Sequence, residues 1–512
     1  MKVASNIIAT EAEIEELGGS LTQLTSDLTL PNPEYENTLR FGKGRFHRQV
    51  DKYICYLKQI DKEYIIPRYY FGNIEGGICG REFLAPGTLC PFKLRDYQQE
   101  FIKENLMELC HNTGVLLEAP CGSGKTVMAL YFIAMRGKQS LVLVPTYYLA
   151  KQWAQRIQEL TPWTYVILTS KDATIPTDRD ITIVVMDLFS CRVLPDELVN
   201  NIGHVILDEA HRVGAETYLP ILEEIPAMYR TALTATFRRS DGVHKILQYH
   251  FGKHFKMESR FPKPKVYAVK TGVEVKGVMS KNRAHSDFLD FLDFNEVPYT
   301  ETKSAIAFNP VPELRERVEK LIKAKVITKK AYKEIVACIN KGSEMAYASL
   351  DSYLNENASR RKVAIKIIQE CLDAGRTVLF LSKRKDTLRA LNKYFAKYNP
   401  MLIVAETNTR SEEDEKYLQE SCPLILGVTQ LAKEGLDIDR LDTLIIHLPM
   451  ADTEQAIGRI SRLHPKKQPP VALYLLDNCA MTYSVFNKAK KFIAINGEYK
   501  GDITLKQLKG VL

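Results

Sequence analysis

The chain has 512 residues, 45% of them hydrophobic and 26% charged. That is ordinary globular composition with length for roughly three domains of typical size. No stretch approaches the ~18 unbroken apolar residues of a membrane span, and acids interrupt the start, "MKVASNIIATEAEIEELGG", where a signal peptide would be apolar; both point to a soluble, intracellular (cytoplasmic) protein with no membrane partner. The ten cysteines show no CxxC pair or metal-ligand spacing, which argues against structural zinc and iron–sulfur clusters, and a net charge of +8 is compatible with a polyanionic partner without establishing one.

In chain order, residues 1–90 begin with an acidic helix or loose tail. A Tyr-, Gly- and Arg-rich stretch of short strands and turns follows, "LRFGKGRFHRQVDKYICYLKQIDKEYIIPRYYFGNIEGG". In it Arg40, Lys43, Arg45, Arg48, Tyr53, Tyr56, Arg68, Tyr69 and Tyr70 interleave cations with aromatics, as nucleic-acid platforms do, although such rings also serve as core. On the platform reading this is an accessory DNA-binding domain whose removal leaves the rest of the chain folded.

From Thr113 apolar strands alternate with amphipathic helices: "GVLLEA", "KTVMALYFIAMRG", "LVLVP", "YLAKQWAQRIQEL", "YVILTS", "ITIVVMD", "HVILDEA", "TALTAT". Continuous apolar strands of this kind predict a parallel sheet covered on both faces, and Gly137 falls where a helix should end. A second alternation starts near Ser359 and runs through "VLFLS", "LIVAET", "LILGVTQ", "TLIIHLP" and "VALYLLD". The expected fold is therefore α/β, with two tandem parallel-sheet domains at 91–260 and 357–512. Between them, 261–356 reads as a strand followed by a charged helical insertion, basic at Arg315, Arg317, Lys320 and Lys323 but diluted by Glu313, Glu316 and Glu319.

Three segments carry chemistry. "APCGSGKT" (Ala119, Pro120, Cys121, Gly122, Ser123, Gly124, Lys125, Thr126) follows a strand and opens a helix. In that setting backbone N–H groups and the helix N-terminus face phosphates, Lys125 reaches the β/γ oxygens and Thr126 offers a hydroxyl to Mg²⁺. Ala119 stands where the strict pattern has Gly. In "VILDEAH", Asp208 can hold Mg²⁺ through water while Glu209 polarises the attacking water. A strand-end acid pair is also a common helix cap, so its order after Lys125 is what distinguishes it. In "QAIGRISR", Arg459 and Arg462 stand three apart and on a helix share a face, suited to a transferring phosphoryl group or simply to surface ion pairs.

With these segments in this order, the chain resembles the superfamily 2 DEAH-box helicases and translocases from Lys93 to about Asn478. The resemblance implies two RecA-like domains with ATP and Mg²⁺ at the cleft between them. It makes Gln98 of "LRDYQQE" adenine-reading and Pro145 and Thr146 strand-contacting. Thr234 and Thr236 of "LTAT" would couple hydrolysis to movement. It adds His211 and Gln455 to the catalytic set, Ser382 and Thr429 to the nucleic-acid contacts, and Gly435 and Asp437 to the ATP site. "LTATFRRSDG", with Arg239 and Asp241 but Ser240 in place of a glutamate, is similar to the XPB-like DNA helicases, and "GRISRLHPKKQPPVALYLLDN" to those of phages and large DNA viruses. The implied activity is an ATP-driven helicase or translocase on forked, branched or duplex DNA. RNA is the alternative substrate, and the motor of a restriction-type complex the alternative role.

Overall fold

The computed structural model describes residues 1–32, 51–85, 90–120, 122–172, 174–190, 193–212, 215–237, 242–258, 261–275, 277–280, 299–303, 305–308, 347–404, 411–429, 438–450, 453–462, 464–512 and a few isolated positions. The chain divides into two compact units, Met1–Arg260 and Phe261–Leu512.

The first unit is built on a seven-stranded sheet whose strands run, edge to edge, Lys253–Lys256, Gly114–Glu118, Tyr229–Thr234, His204–Leu207, Ser140–Val144, Ile181–Val185 and Tyr165–Leu168. Every pairing is parallel. The strands are apolar throughout because both faces are covered: Leu116, Leu141, Leu143 and Leu207 pack into one core, and Leu117, Val142, Val144 and Ile206 into the other. The helix Lys125–Arg136 ends at Gly137, whose φ of 65° is the left-handed cap expected there. The helix Tyr147–Leu160 starts at Thr146, whose hydroxyl accepts from Leu149 N at 3.4 Å.

The N-terminal strands Lys2–Val3, Asn6–Thr10, Glu63–Pro67 and Lys58–Ile60 form an antiparallel sheet in that spatial order. They do not stand apart from the seven-stranded sheet. Ile7, Leu24, Leu28 and Ile66 are fully buried in the same core as Leu116 and Leu141. Ile78 bridges Ala227 and Glu82 bridges Lys138. Gly80, at φ 66°, crosses so closely that a Cβ there would lie 2.2 Å from Gly203 N. This corrects the platform reading at three positions. Arg68 is buried, donating to Ala227 O at 2.6 Å and to Gly76 O. Tyr69 is buried with its hydroxyl 3.1 Å from Thr113 Oγ1, and Tyr70 donates to Asp27 at 2.8 Å. These rings anchor the N-terminal layer to the sheet, so their periodicity came from packing. Tyr53 is exposed and Tyr56 half-buried, while 40–48 lie outside the described residues.

The second unit repeats the architecture: seven parallel strands in the order Met401–Ile403, Leu424–Val428, Val378–Ser382, Thr443–Ile446, Val471–Asn478, Lys265–Glu274 and Glu498–Ile503. Lys265–Glu274 thus lies inside this sheet. Gly277–Ser280, Ala305–Phe308 and Tyr299–Glu301 form a small antiparallel sheet. Its Val278, Ala305 and Ala307 share a core with Leu350, Tyr353 and Leu354 of the helix Tyr347–Glu356. The basic segment 313–333 lies outside the described residues. Two tandem RecA-like domains account for the bulk of the chain.

Candidate nucleotide site and phosphate-facing elements

The phosphate loop sits between the strand Gly114–Glu118 and the helix Lys125–Arg136. Gly122 and Gly124 have φ of 82° and 77°. At Gly124 a Cβ would fall 2.7 Å from Gln98 Nε2 and would also sit on a left-handed backbone, which favours glycine. Gln98 is buried and holds the loop from beneath: its Oε1 accepts from Arg95 N at 3.0 Å, and its Nε2 donates to Ser123 O at 2.9 Å and Gly124 O at 3.4 Å. Tyr97 adds a hydroxyl to Ser123 O at 3.0 Å. Pro120 O accepts from Ser123 N, and Ala119, fully buried, donates its N–H to Thr234 O at 2.9 Å. Lys125 Nζ lies 3.3 Å from Ala119 O, and Thr126 is half-buried in the first helical turn. Cys121 lies outside the described residues.

The acid pair emerges from the strand His204–Leu207, next to the strand that ends in Thr234. Asp208 is buried; its Oδ2 accepts from Trp153 Nε1 at 2.7 Å and its Oδ1 from Glu209 N at 2.8 Å. Burial raises the Asp208 carboxyl above the usual range and the Glu209 charge pushes the same way, while Trp153, Lys125 and the Glu209 N–H pull it back. Glu209 has φ 50°, a left-handed backbone that side chains other than Gly, Asn and Asp rarely adopt. His211 Nδ1 lies 3.4 Å from Glu209 Oε2 and 3.3 Å from Thr234 Oγ1. Thr234 Oγ1 donates to Thr236 O at 2.6 Å and accepts from Thr236 N at 3.3 Å. The chain Glu209–His211–Thr234–Thr236 therefore joins the acid pair to the "TAT" segment, and Ala119 joins that segment to the phosphate loop. Trp153 was missed in the sequence. Its signal was a buried tryptophan on a helix facing the sheet, which needs a partner for its N–H.

The residues present fit Mg²⁺. Among the described residues no group of three His, Cys, Asp and Glu side chains could hold a metal by itself. Mg²⁺ instead takes one or two protein oxygens with substrate phosphates and water, which matches Thr126 Oγ1 and an Asp208 carboxylate whose oxygens each retain an acceptor site.

Pro145 and Thr146 are half-buried at the end of the strand Ser140–Val144, Thr146 opening the next helix. Arg239, Gly435 and Asp437 lie outside the described residues. In the second unit Thr429 is half-buried just past the strand Leu424–Val428. Ser382 is buried and its hydroxyl is committed. It donates to Asn355 Oδ1 at 3.4 Å, accepts from Arg384 N at 3.2 Å, and lies 3.3 Å from His447 Nδ1.

Ser382 belongs to a larger buried network. Arg360 Nε reaches both Asp477 oxygens at 2.9 Å, its Nη1 lies 2.5 Å from His447 Nε2, and its Nη2 donates to His447 O. Thr271 donates to Asp477 at 2.6 Å. Asn355 also accepts from Thr387 at 2.7 Å and donates to Asp351 Oδ1 at 3.0 Å, and Arg384 Nε meets Asp351 Oδ2 at 2.5 Å. Burial and the Arg360 and Arg361 charges hold His447 well below the ordinary histidine range, so it stays neutral and its Nε2 accepts from Arg360.

Gln455 and Arg459 lie on the helix Glu454–Ile460, Gln455 in the first turn and Arg459, half-buried, in the last. The expectation of one shared helical face for Arg459 and Arg462 needs correction. The helix stops at Ile460, capped by Ser461, so Arg462 lies beyond it, 16% exposed, with its Nη1 3.3 Å from Asp439 Oδ1.

Two family models match the chain: "Type III restriction enzyme, res subunit" over residues 91–239 and "Helicase conserved C-terminal domain" over residues 360–464. A protein of Acanthamoeba polyphaga mimivirus, L396, which carries the name ATP-dependent RNA helicase, is 24% identical over 435 residues, 83% of this chain and 73% of its own length. The DNA 3′–5′ translocase XPB2 of Sulfurisphaera tokodaii is 32% identical over 154 residues, 30% of this chain and 33% of that protein. A protein of Escherichia phage T5 bearing the name helicase D10 is 30% identical over 178 residues, 33% and 38% of the two chains. Helicase domains of this kind are nucleic-acid-dependent ATPases. Both domain models fall, in order, on the two RecA-like units, and with these relatives they support a superfamily 2 helicase of the XPB-like branch that includes helicases of phages and large DNA viruses.

Proposed function

We propose that the chain is an ATP-dependent DNA helicase or translocase whose hydrolytic site is the cluster at the strand ends of the first unit. The carrying observation is that Lys125, Asp208, Glu209, His211 and Thr234 converge there through contacts of 2.7–3.4 Å that include Ala119 and Trp153. In this reading the phosphate-loop N–H groups and Lys125 hold the β- and γ-phosphates of ATP. Thr126 and Asp208 would hold Mg²⁺, which would neutralise phosphate charge when bound. Glu209 orients the attacking water and accepts its proton, with His211 positioning Glu209. Thr234 and Thr236 relay the state of the site, and Arg459 and Arg462 are the candidate cations for the γ-phosphate. Since the site's contacts with ATP and with ADP differ, turnover biases a conformational equilibrium, which is what movement along a strand requires.

Pro145, Thr146 and Thr429 are the proposed backbone contacts. Ser382, committed to Asn355, Arg384 and His447, is assigned instead to holding its strand end. DNA is favoured over RNA by the "LTATFRRSDG" segment and by the likeness to the archaeal DNA translocase; the mimivirus relative's name favours RNA.

The test is the ATPase rate with single-stranded DNA, duplex DNA, forked DNA and RNA, together with strand displacement on each. DNA stimulation with fork unwinding is expected, and stimulation by RNA alone would overturn the DNA reading. Lys125→Ala should cut the stimulated rate about 100-fold or more, in line with loss of a group that stabilises transition-state charge. Equal rates in the variant and the wild type would overturn the site assignment.

A further inference from the structure

Glu118 closes the strand that leads into the phosphate loop, and no step above uses its carboxylate. Its Oε2 lies 2.9 Å from Nε2 of His254 on the neighbouring edge strand Lys253–Lys256, and the backbone N–H of Phe237 donates to the same carboxylate. Phe237 directly follows Thr236. Its ring stacks on the His254 imidazole with centroids 4.2 Å apart and 28° between planes, while His244 approaches edge-on at 5.3 Å. The backbone is tied on both sides: Met257 N donates to Glu118 O at 2.8 Å, and Ala119 N to Thr234 O at 2.9 Å. One carboxylate, one imidazole and one ring therefore join three strand ends: that of the phosphate loop, that of the "TAT" segment, and the sheet edge.

Burial pushes the Glu118 carboxyl up, but the His254 hydrogen bond and charge, the Lys256 charge and the Phe237 N–H outweigh it and hold the group below the usual range. It is ionised at neutral pH and accepts from both partners. The pair is 25% and 21% exposed, and polar pairs this open to water contribute little to stability, so anchoring alone does not account for it. Its position does. A shift of Thr234–Thr236 moves Phe237, Phe237 pulls on Glu118 and His254, and Glu118 continues into Ala119, whose carbonyl lies 3.3 Å from Lys125 Nζ.

We propose that Glu118 and His254 are positioning residues that carry the state of the Thr234–Phe237 segment to the phosphate loop and so set how strongly nucleic acid stimulates hydrolysis. This rests on the proposed site being a nucleic-acid-stimulated ATPase.

The experiment is steady-state ATPase of the full chain with and without single-stranded oligodeoxythymidine, for wild type, Glu118→Gln, His254→Phe and His254→Gln. His254→Phe keeps a stacking ring and loses the hydrogen bond; His254→Gln keeps an N–H donor. A coupling of ordinary strength predicts that Glu118→Gln and His254→Phe lose about tenfold in stimulation ratio, with the unstimulated rate, ATP KM and melting temperature close to wild type. His254→Gln should recover part of the ratio. Wild-type ratios in Glu118→Gln and His254→Phe overturn the inference while leaving the functional reading standing. A parallel fall of both rates with the melting temperature also overturns it, in favour of a purely structural role. A wild type indifferent to nucleic acid overturns the functional reading and this inference with it.

Discussion

The two units share a seven-stranded parallel sheet but treat the polar ends of their strands in opposite ways. In the first, Glu118, Asp208, Thr234 and the phosphate loop meet through a mixture of buried and half-buried side chains, long hydrogen bonds and one left-handed glutamate. In the second, Ser382, His447 and Asp477 terminate their strands inside a closed network around a fully buried Arg360. A network satisfied within the protein fixes one geometry and resists change. The same backbone plan therefore carries a chain of contacts among the candidate site residues in one unit and a closed buried network in the other.

The largest expected effect breaks that network. Arg360→Met leaves Asp477 buried without its cation and should destabilise the second unit by about 3–5 kcal/mol. Both tryptophans, Trp153 and Trp163, lie in the first unit, so fluorescence reports that unit while circular dichroism reports both. The dichroism midpoint should fall while the fluorescence midpoint holds. If fluorescence moves as far, the units unfold as one. Arg360→Met with Asp477→Leu should regain most of the loss, since replacing a whole buried pair is far less damaging than breaking it.

A second, somewhat smaller effect tests the extent of the first unit. Ile66→Ala opens a cavity in the core that the N-terminal strands share with Leu116 and Leu141, and should cost about 3 kcal/mol, read this time in the fluorescence transition. Loss confined to the dichroism signal would mean that the N-terminal layer melts by itself. By the same reasoning, deleting residues before Pro91 should expose this core and give an insoluble chain.

These two cases show where the sequence was legible. The strands, the Gly137 cap, the phosphate loop and the acid pair announce themselves by local pattern, because apolar runs and glycine positions respond to constraints within a few residues. Arg68 and Tyr69 do not: the same alternation of cations and aromatics describes a surface platform or a buried anchor, and only Ala227 and Thr113, far along the chain, decide which. The Arg360 network is equally non-local, drawing on Thr271 inside its strand and on Ser382, His447 and Asp477 near the ends of theirs, each unremarkable by itself. The stop at Ile460 was missed because three-residue spacing of Arg459 and Arg462 presumes a helix that continues.

A smaller effect sharpens the comparison through pH. His204 and His250 in the first unit and His447 in the second are held below the ordinary histidine range, first by burial and then by neighbouring arginines, with His204 pushed down to about 3. The unfolded chain takes up these protons near pH 6.5 and the folded chain does not, so stability is complete above that value and falls as pH drops through it. From pH 7.5 to 5.5 each histidine should cost about 1.4 kcal/mol. Asp208, whose carboxyl is raised, gains a proton in the folded state and offsets part of the loss in the first unit. Subtracting the pH dependence of His204→Gln from that of the wild type isolates the histidine, and an unchanged slope would mean that His204 takes up its proton alike in the folded and unfolded chain.

The smallest expected effect concerns Glu209. Among the described residues three that are not glycine have positive φ: Asp61, Asn399 and Glu209. Asp and Asn tolerate that region through local hydrogen bonds, but a glutamate held there costs about 1–2 kcal/mol, beside a buried Asp208 whose charge it opposes. Glu209→Gly should remove both the strain and the repulsion, against about 0.5–1 kcal/mol of added unfolded-state freedom. The net result is a first unit as stable as wild type, or up to about 1 kcal/mol more so, with turnover lost. Glu209→Gln removes the charge but keeps the left-handed side chain, so the stability difference between the two variants measures the strain less the added unfolded-state freedom of glycine. A glycine variant clearly less stable than the glutamine variant would show that the backbone at 209 is relaxed. The first unit's site would then hold no strain, and its contrast with the second unit's closed network would reduce to solvent exposure.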